Sequence, residues 1–193
     1  MADGFVIYTD EQTDIWGESV VLEKRPIRIV DPMSNPKIKA MIEVLDEAQQ
    51  VVIWAKYVES IKMIEEALSE KYGKESVVTF YGGIDQDMRE LNKKKFLSGE
   101  ARFFVANPVV GGAGLTLNCA NTVVYFDNSF KLIDRLQSED RCHRIGQKNN
   151  VLYVDLIAQD TVDERIIDAI KSKKDLATYV SNKLTIDKNH ELW

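Results

Sequence analysis

Cysteine is nearly absent. The 193 residues hold two, Cys119 and Cys142, too few for a disulfide framework or a four-cysteine metal site. Glycine and proline are sparse, at 10 and 4, which argues against long flexible linkers, and no internal repeat is present. Long apolar runs are missing as well. The run Val51-Val52-Ile53-Trp54-Ala55 falls far short of the roughly 20 residues a membrane-spanning helix needs. The opening Met1-Ala2-Asp3-Gly4 has no basic stretch leading into an apolar one, so no secretory signal is read. Basic charge is not in excess: 25 Lys and Arg face 31 Asp and Glu, for a net charge of −6. That excludes a basic coat over the whole surface. It leaves room for a local basic face, because phosphate binding depends on where the cations gather. Together these absences read as an intracellular protein with no membrane partner.

With 45% apolar and 29% charged residues the chain can bury a substantial core, and its length fits one domain plus a small appendage. Residues 1–33 stand apart. Two short β-prone runs, 5–9 and 19–22, flank a polar stretch and predict a hairpin, with residues 25–31 as another extended piece. From Ser34 the pattern is regular. Asn35-Pro36 is a helix start, and Ile38, Met41, Ile42 and Leu45 follow on one helical face.

Apolar runs at 51–55, 77–80, 102–106, 122–126 and 151–157 then alternate with helical segments. One helix turns Val58, Ile61, Ile64 and Leu68 inward, the next carries Met88, Leu91 and Phe96, and a third spans roughly 131–144. Thr161-Val162-Asp163-Glu164 reads as a capping box opening a last helix that buries Ile166, Ile167 and Ile170. Strands without a wet face are those of a parallel sheet covered on both sides. The expected fold is therefore α/β, three-layered, with a mainly parallel sheet, and function is expected in the loops at the strands' carboxyl ends. The expected boundaries are 1–33 for the hairpin or connector, 34–180 for the main domain and 181–193 for a tail.

Among those loops the segment from Gln137 to Gln147, reading QSEDRCHRIGQ, is the most informative. Arg141 and Arg144 lie three apart on a predicted helix end, so two planar, permanently charged forks leave from one face. Such a pair suits a polyphosphate whose charge grows during transfer. Taken alone, any R-x-x-R pair also reads as a surface helix end.

The surrounding residues change that balance. The run QSEDRCHRIGQ closely resembles the sixth motif of the SWI/SNF-type helicase-like ATPases. Gly111-Gly112-Ala113-Gly114-Leu115-Thr116-Leu117, with the strand Asn121-Thr122-Val123-Val124-Tyr125-Phe126-Asp127 after it, resembles their fifth motif. The stretch from Val51 through Ile61, Tyr81-Gly82-Gly83 with Arg89 and Phe96, and Thr161-Val162-Asp163-Glu164-Arg165-Ile166 are similar to further segments, all in order over about 34–180.

This resemblance implies the second of two RecA-like lobes. A G-x-x-x-x-G-K-[ST] phosphate loop and an acidic box, expected in the first lobe, are not found here. The closest approach, Tyr72-Gly73-Lys74-Glu75, reads as a helix C-terminus capped by Gly73.

The resemblance further implies ATP and Mg²⁺ held mainly by the missing N-terminal lobe, with Arg141 and Arg144 as arginine fingers across the cleft. Gly112, Gly114, Gln137 and Asp140 are implied to act in ATP binding or coupling. DNA, gripped chiefly by its backbone, is expected at Lys56, Tyr57, Tyr81, Gly82, Gly83, Arg89 and Asn107, with Lys93-Lys94-Lys95 as a possible extension or an ordinary solvated face. His143 has no metal or carboxylate partner in ligand spacing and reads as a packing residue. The activity implied is that of an ATP-driven double-stranded DNA translocase. A non-catalytic nucleic-acid-binding or regulatory lobe is the alternative. A small-molecule α/β enzyme would need a catalytic pair that the sequence does not offer.

Overall fold

The computed structural model describes residues 5–13, 19–110, 115–144, 146–147 and 150–173. Strands β1 (Phe5–Thr13) and β2 (Ser19–Arg28) form an antiparallel hairpin whose register shifts between Asp10 and Glu11. Both run longer than expected, because the extended piece anticipated after Arg25 is the continuation of β2. Arg28 Nη1 meets Glu66 at 2.6 Å and ties the base of the hairpin to the main body.

Five short strands follow: β3 (Val51–Trp54), β4 (Val77–Phe80), β5 (Phe103–Ala106), β6 (Thr122–Tyr125) and β7 (Leu152–Asp155). They form one sheet in the order β4-β5-β3-β6-β7 with every pairing parallel. Side chains alternate across the sheet, which splits the core in two. Val51, Ile53, Phe103, Val105 and Val124 face one layer; Val52, Trp54, Phe104, Val123 and Tyr125 face the other. On the first face lie α1 (Pro36–Leu45) and α2 (Val58–Tyr72). Against the second lie α3 (Gln86–Ser98), through Phe96, and α4 (Leu132–Cys142), through Cys142. This is the three-layer α/β arrangement expected. No helix among the described residues is long and apolar enough to cross a membrane.

The Asn35 side chain accepts from Lys37 N and Ile38 N, with Pro36 next, so α1 starts where its cap residues dictate. Two helices turn differently from expectation. In α3 Met88 and Leu91 stay 49% and 45% exposed. Its inward stripe is Arg89, Asn92 and Phe96: Arg89 over Phe80 at 5.8 Å, Asn92 Nδ2 on Thr79 O at 2.9 Å, Phe96 against Phe104 at 5.1 Å. The sheet offers a ring face and a strand-end carbonyl there, which suit a guanidinium and an amide. In α2 Val58, at the first turn, remains exposed.

A helix α5 begins at residue 162 and is described as far as 173, with Ile166, Ile167 and Ile170 buried as expected. Its start differs from a simple capping box. Asp163, not Glu164, turns back, accepting from Ala158 N at 3.2 Å and pairing with Lys37 Nζ at 2.8 Å. Residues 174–193, including the expected tail and Trp193, lie outside the described residues.

Burial pushes the Cys142 thiol and the Tyr153 phenol each up to about 12. Their neutral forms are favoured in the folded state, so the stability they contribute is complete below the range where an unfolded thiol titrates, about pH 8.5. It is lost as pH rises towards 12. Urea midpoints measured between pH 7 and 11 are expected to hold up to about pH 8.5 and then fall steadily. Constant midpoints up to pH 11 would contradict this burial.

Candidate nucleotide and nucleic acid site

The register aligns the strand ends: Trp54 stands opposite Ala106 and Tyr125, Phe80 opposite Ala106, and Tyr125 opposite Asp155. The loops that follow therefore leave from one edge, and hydrogen bonds knit three of them together. Asn107 N donates to Phe80 O at 3.1 Å, Asn107 Nδ2 donates to Lys56 O at 2.7 Å, and Asn107 Oδ1 accepts from Val109 N at 2.9 Å. Both ends of this amide are thus occupied within the protein. Asn107, expected as a DNA-contact residue, ties the loops together here.

Lys56 N donates to the buried carboxylate of Asp127, fixing a fourth loop. The Lys56 side chain is exposed, with Nζ 3.2 Å from the Tyr57 hydroxyl and 4.8 Å from the ring centre. In the next loop a Cβ on Gly83 would stand 2.8 Å from Tyr81 Cε2, so glycine there lets the Tyr81 ring lie flat over the backbone. Arg89 lies over the Phe80 ring, 5.8 Å from its centre.

Helix α4 carries two arginines in opposite circumstances. Arg135 donates to Glu139 Oε1 at 2.6 Å, to Asp155 Oδ2 at 3.2 Å and to Asn128 Oδ1 at 3.2 Å, and a second bond joins it to Asp155 Oδ1. Its guanidinium lies 3.5 Å from the centre of the Tyr125 ring. The Tyr125 hydroxyl bonds Ser138 Oγ at 2.7 Å, and burial raises its pKa well beyond the usual phenol range. Two turns on, Arg141 is 7% exposed and stacks 5.5 Å from the Trp54 ring centre. Its Nη1 donates to Val110 O at 3.4 Å, and burial lowers its pKa.

Arg144, just past the helix, is exposed, with Nη1 on Thr116 Oγ1 at 2.9 Å. The turn after it is closed by Gln147 N on Arg144 O at 3.0 Å and by Gln147 Nε2 on Ala120 O at 2.8 Å. Gly146 sits there at φ +103°, where a Cβ would meet Asn118 at 2.9 Å. The positive φ is what favours glycine there, since Asn118 Nδ2 ends a side chain that can move aside.

Arg141 and Arg144 therefore bond residues that flank the glycine segment in sequence, Arg141 to Val110 before it and Arg144 to Thr116 after it. Gly112 and Gly114 themselves lie outside the described residues. Gln137 and Asp140 are exposed, and the α4 ion pairs are made by Glu139 and Asp155 with Arg135. His143 is exposed, and no group of three metal-ligating side chains occurs among the described residues. Beside Lys56, Val109, Asp127 and Phe130 a cleft of about 340 Å³ opens at the same edge. The sequence alone did not mark Trp54, Thr116 or Gln147 as parts of this site. Trp54 reads there only as one more apolar strand residue.

Residues 36–146 match the helicase conserved C-terminal domain family. The ATP-dependent helicase FUN30 of Saccharomyces cerevisiae is 32% identical over 155 residues, covering 77% of this chain and 14% of that protein. The crystal structure of the C-terminal part of the Fun30 ATPase domain is 28% identical with a TM-score of 0.66, covering 75% of this chain and 48% of that one. The Sulfolobus solfataricus SWI2/SNF2 ATPase core domain is 29% identical with a TM-score of 0.58, covering 75% of this chain and 29% of that one. The chain spans about a seventh of the yeast helicase, the 14% its match covers. With a RecA-like sheet, the arginine pair beside the glycine segment and a family match over most of that core, the chain belongs to the helicase conserved C-terminal domain family, as a lobe of the SWI/SNF type.

Proposed function

We propose that this chain is the second motor lobe of an ATP-dependent translocase on double-stranded DNA, closing on a first lobe that holds ATP and Mg²⁺. The observation that carries the reading is the clasp of one helix end on both sides of the glycine segment, Arg141 at Val110 and Arg144 at Thr116. A guanidinium is always charged and presents a planar fork that matches phosphate oxygens. Arg144 is solvent-accessible and restrained by one neutral hydroxyl, so a phosphate oxygen competes with Thr116 at little loss. Arg141 is the inner member: it has already given up its hydration, and it reaches a phosphate by leaving a weak carbonyl contact. ATP, when bound, supplies the γ-phosphate that these forks stabilise as charge grows on its oxygens.

On the same edge we assign DNA-backbone contact to Lys56, Tyr57, Tyr81, Gly82 and Gly83, with Asn107 holding the loops in register. Lysine charge and exposed backbone N–H groups grip phosphates without reading bases. Gln137 and Asp140, exposed on α4, are assigned to the face that meets the first lobe. The burial of Arg141 favours a second reading, a lobe that binds nucleic acid without catalysis, and one experiment separates the two.

That experiment compares the chain alone with the two-lobed protein containing it. The chain alone is expected to hydrolyse no ATP above background and to bind duplex DNA weakly, with affinity falling as salt rises. The two-lobed protein is expected to show ATPase stimulated by duplex DNA. Lys56→Ala is expected to reduce the slope of log affinity against log salt by about 1. Hydrolysis by the chain alone would overturn the half-site. A two-lobed protein that binds DNA without any ATPase would install the second reading.

A further inference from the structure

Helix α4 lays two guanidinium groups on two aromatic rings, and the rings are neighbours. Trp54 on β3 and Tyr125 on β6 stand directly opposite each other in the parallel register. Arg135 covers Tyr125 at 3.5 Å and Arg141 covers Trp54 at 5.5 Å. The two stacks differ in everything else. Arg135 is bound by Glu139, Asp155 and Asn128 and has no freedom left. Arg141 has no carboxylate within ion-pairing distance among the described residues and one long hydrogen bond, to Val110 O at 3.4 Å. One foot of the helix is anchored; the other rests on a ring.

The ring under Arg141 is itself unusual. Trp54 is fully buried at the last position of the central strand, yet its indole Nε1 is buried with no hydrogen-bond partner among the described residues. A buried tryptophan ordinarily uses that N–H. Leucine or phenylalanine would fill a strand-end core position without stranding a donor, so the polar handle is not what the position uses. What the indole offers here is the largest negative π face available to a cation.

We propose that Trp54 is a positioning residue for Arg141, its indole face the platform on which the dehydrated guanidinium waits at Val110. This rests on the reading of Arg141 as a phosphate-directed group. The platform does not touch nucleotide. It holds a desolvated cation where a carboxylate would trap it, since a ring face attracts the charge without competing for its five N–H donors. Removing the face lets the side chain sample other rotamers, so the effect falls on turnover and not on nucleotide affinity.

The test uses the two-lobed protein and measures kcat and KM for ATP together with thermal midpoints. Trp54→Leu is expected to lower kcat about tenfold with KM within about threefold, while Trp54→Phe, which keeps a smaller face, retains most of the turnover. Added to Arg141→Ala, Trp54→Leu is expected to cause no further loss, because residues acting as one unit are not additive. Should Trp54→Leu fail to fold, fluorinated tryptophans placed at position 54 keep the volume while weakening the π face. Log kcat is then expected to fall stepwise with the number of fluorines. A flat fluorine series, or losses that multiply in the double variant, overturns the platform while leaving Arg141 in its role. An Arg141→Ala variant with near-normal turnover overturns the reading beneath it.

Discussion

Arg144→Ala in the two-lobed protein is expected to lower DNA-stimulated ATP turnover by about 10³-fold or more, the range that arginine fingers supply in phosphoryl transfer. The side chain is exposed and makes one hydrogen bond, to Thr116, so its removal is expected to leave the thermal midpoint of the lobe nearly unchanged. Arg144→Lys keeps the charge but loses the planar fork and is expected to recover only a small part of the activity. Arg141→Ala is expected to match it in turnover and to differ in stability. Arg141 is a buried side chain packed on Trp54, so truncation to alanine leaves a cavity and is expected to lower the thermal midpoint. Steady-state ATPase with duplex DNA, alongside thermal melts of each variant, reads both quantities. Near-normal turnover in both alanine variants would end the arginine-finger assignment.

The second large effect concerns the fold. Lys37→Met is expected to destabilise the chain by about 3–5 kcal/mol, the range for breaking a buried ion pair from one side. The Lys37 and Asp163 side chains are 5% and 10% exposed and meet at 2.8 Å. The ammonium also lies 5.1 Å from the centre of the Phe126 ring, so it joins α1, α5 and the end of β6. Without it, the Asp163 carboxylate stays buried with Ala158 N as its one remaining donor among the described residues. Asp163→Asn keeps the acceptor for that N–H, so the double variant Lys37→Met with Asp163→Asn is expected to recover a large share of the loss. Urea unfolding followed by circular dichroism gives the three values. A Lys37→Met loss below about 1 kcal/mol would mean that water reaches this pair far better than its burial implies.

Much of the architecture is legible in the sequence, and for a local reason. Val51-Val52-Ile53-Trp54 has no polar side, so a strand built from it must be covered on both faces. Asn35-Pro36 can open a helix and do little else. The motif carrying Arg141 and Arg144 was equally visible as a pair leaving one helix end. Helix and strand periods span only a few residues, so pattern and burial agree wherever neighbours along the chain decide the environment. Agreement failed in α3, where Met88 and Leu91 suggested an inward face. The partners on the sheet, the Phe80 ring and the Thr79 carbonyl, instead select Arg89 and Asn92. At Asn107 the structure adds a tie that no local pattern signals, from its amide to Lys56 O, 51 residues away in sequence.

By itself, then, the order of residues determined a parallel α/β lobe, the helix that carries two arginines and the edge from which the working loops leave. All of these follow from periodicity and capping chemistry within a turn or two of chain. Only the tertiary structure decided which arginine is anchored and which is poised. Arg135 finds Asp155 and Asn128, and Arg141 finds Trp54 and, among the described residues, no acid, because a parallel sheet brings side chains from β3, β6 and β7 under one helix. Charge and shape at that depth belong to neighbours that the linear order keeps far apart.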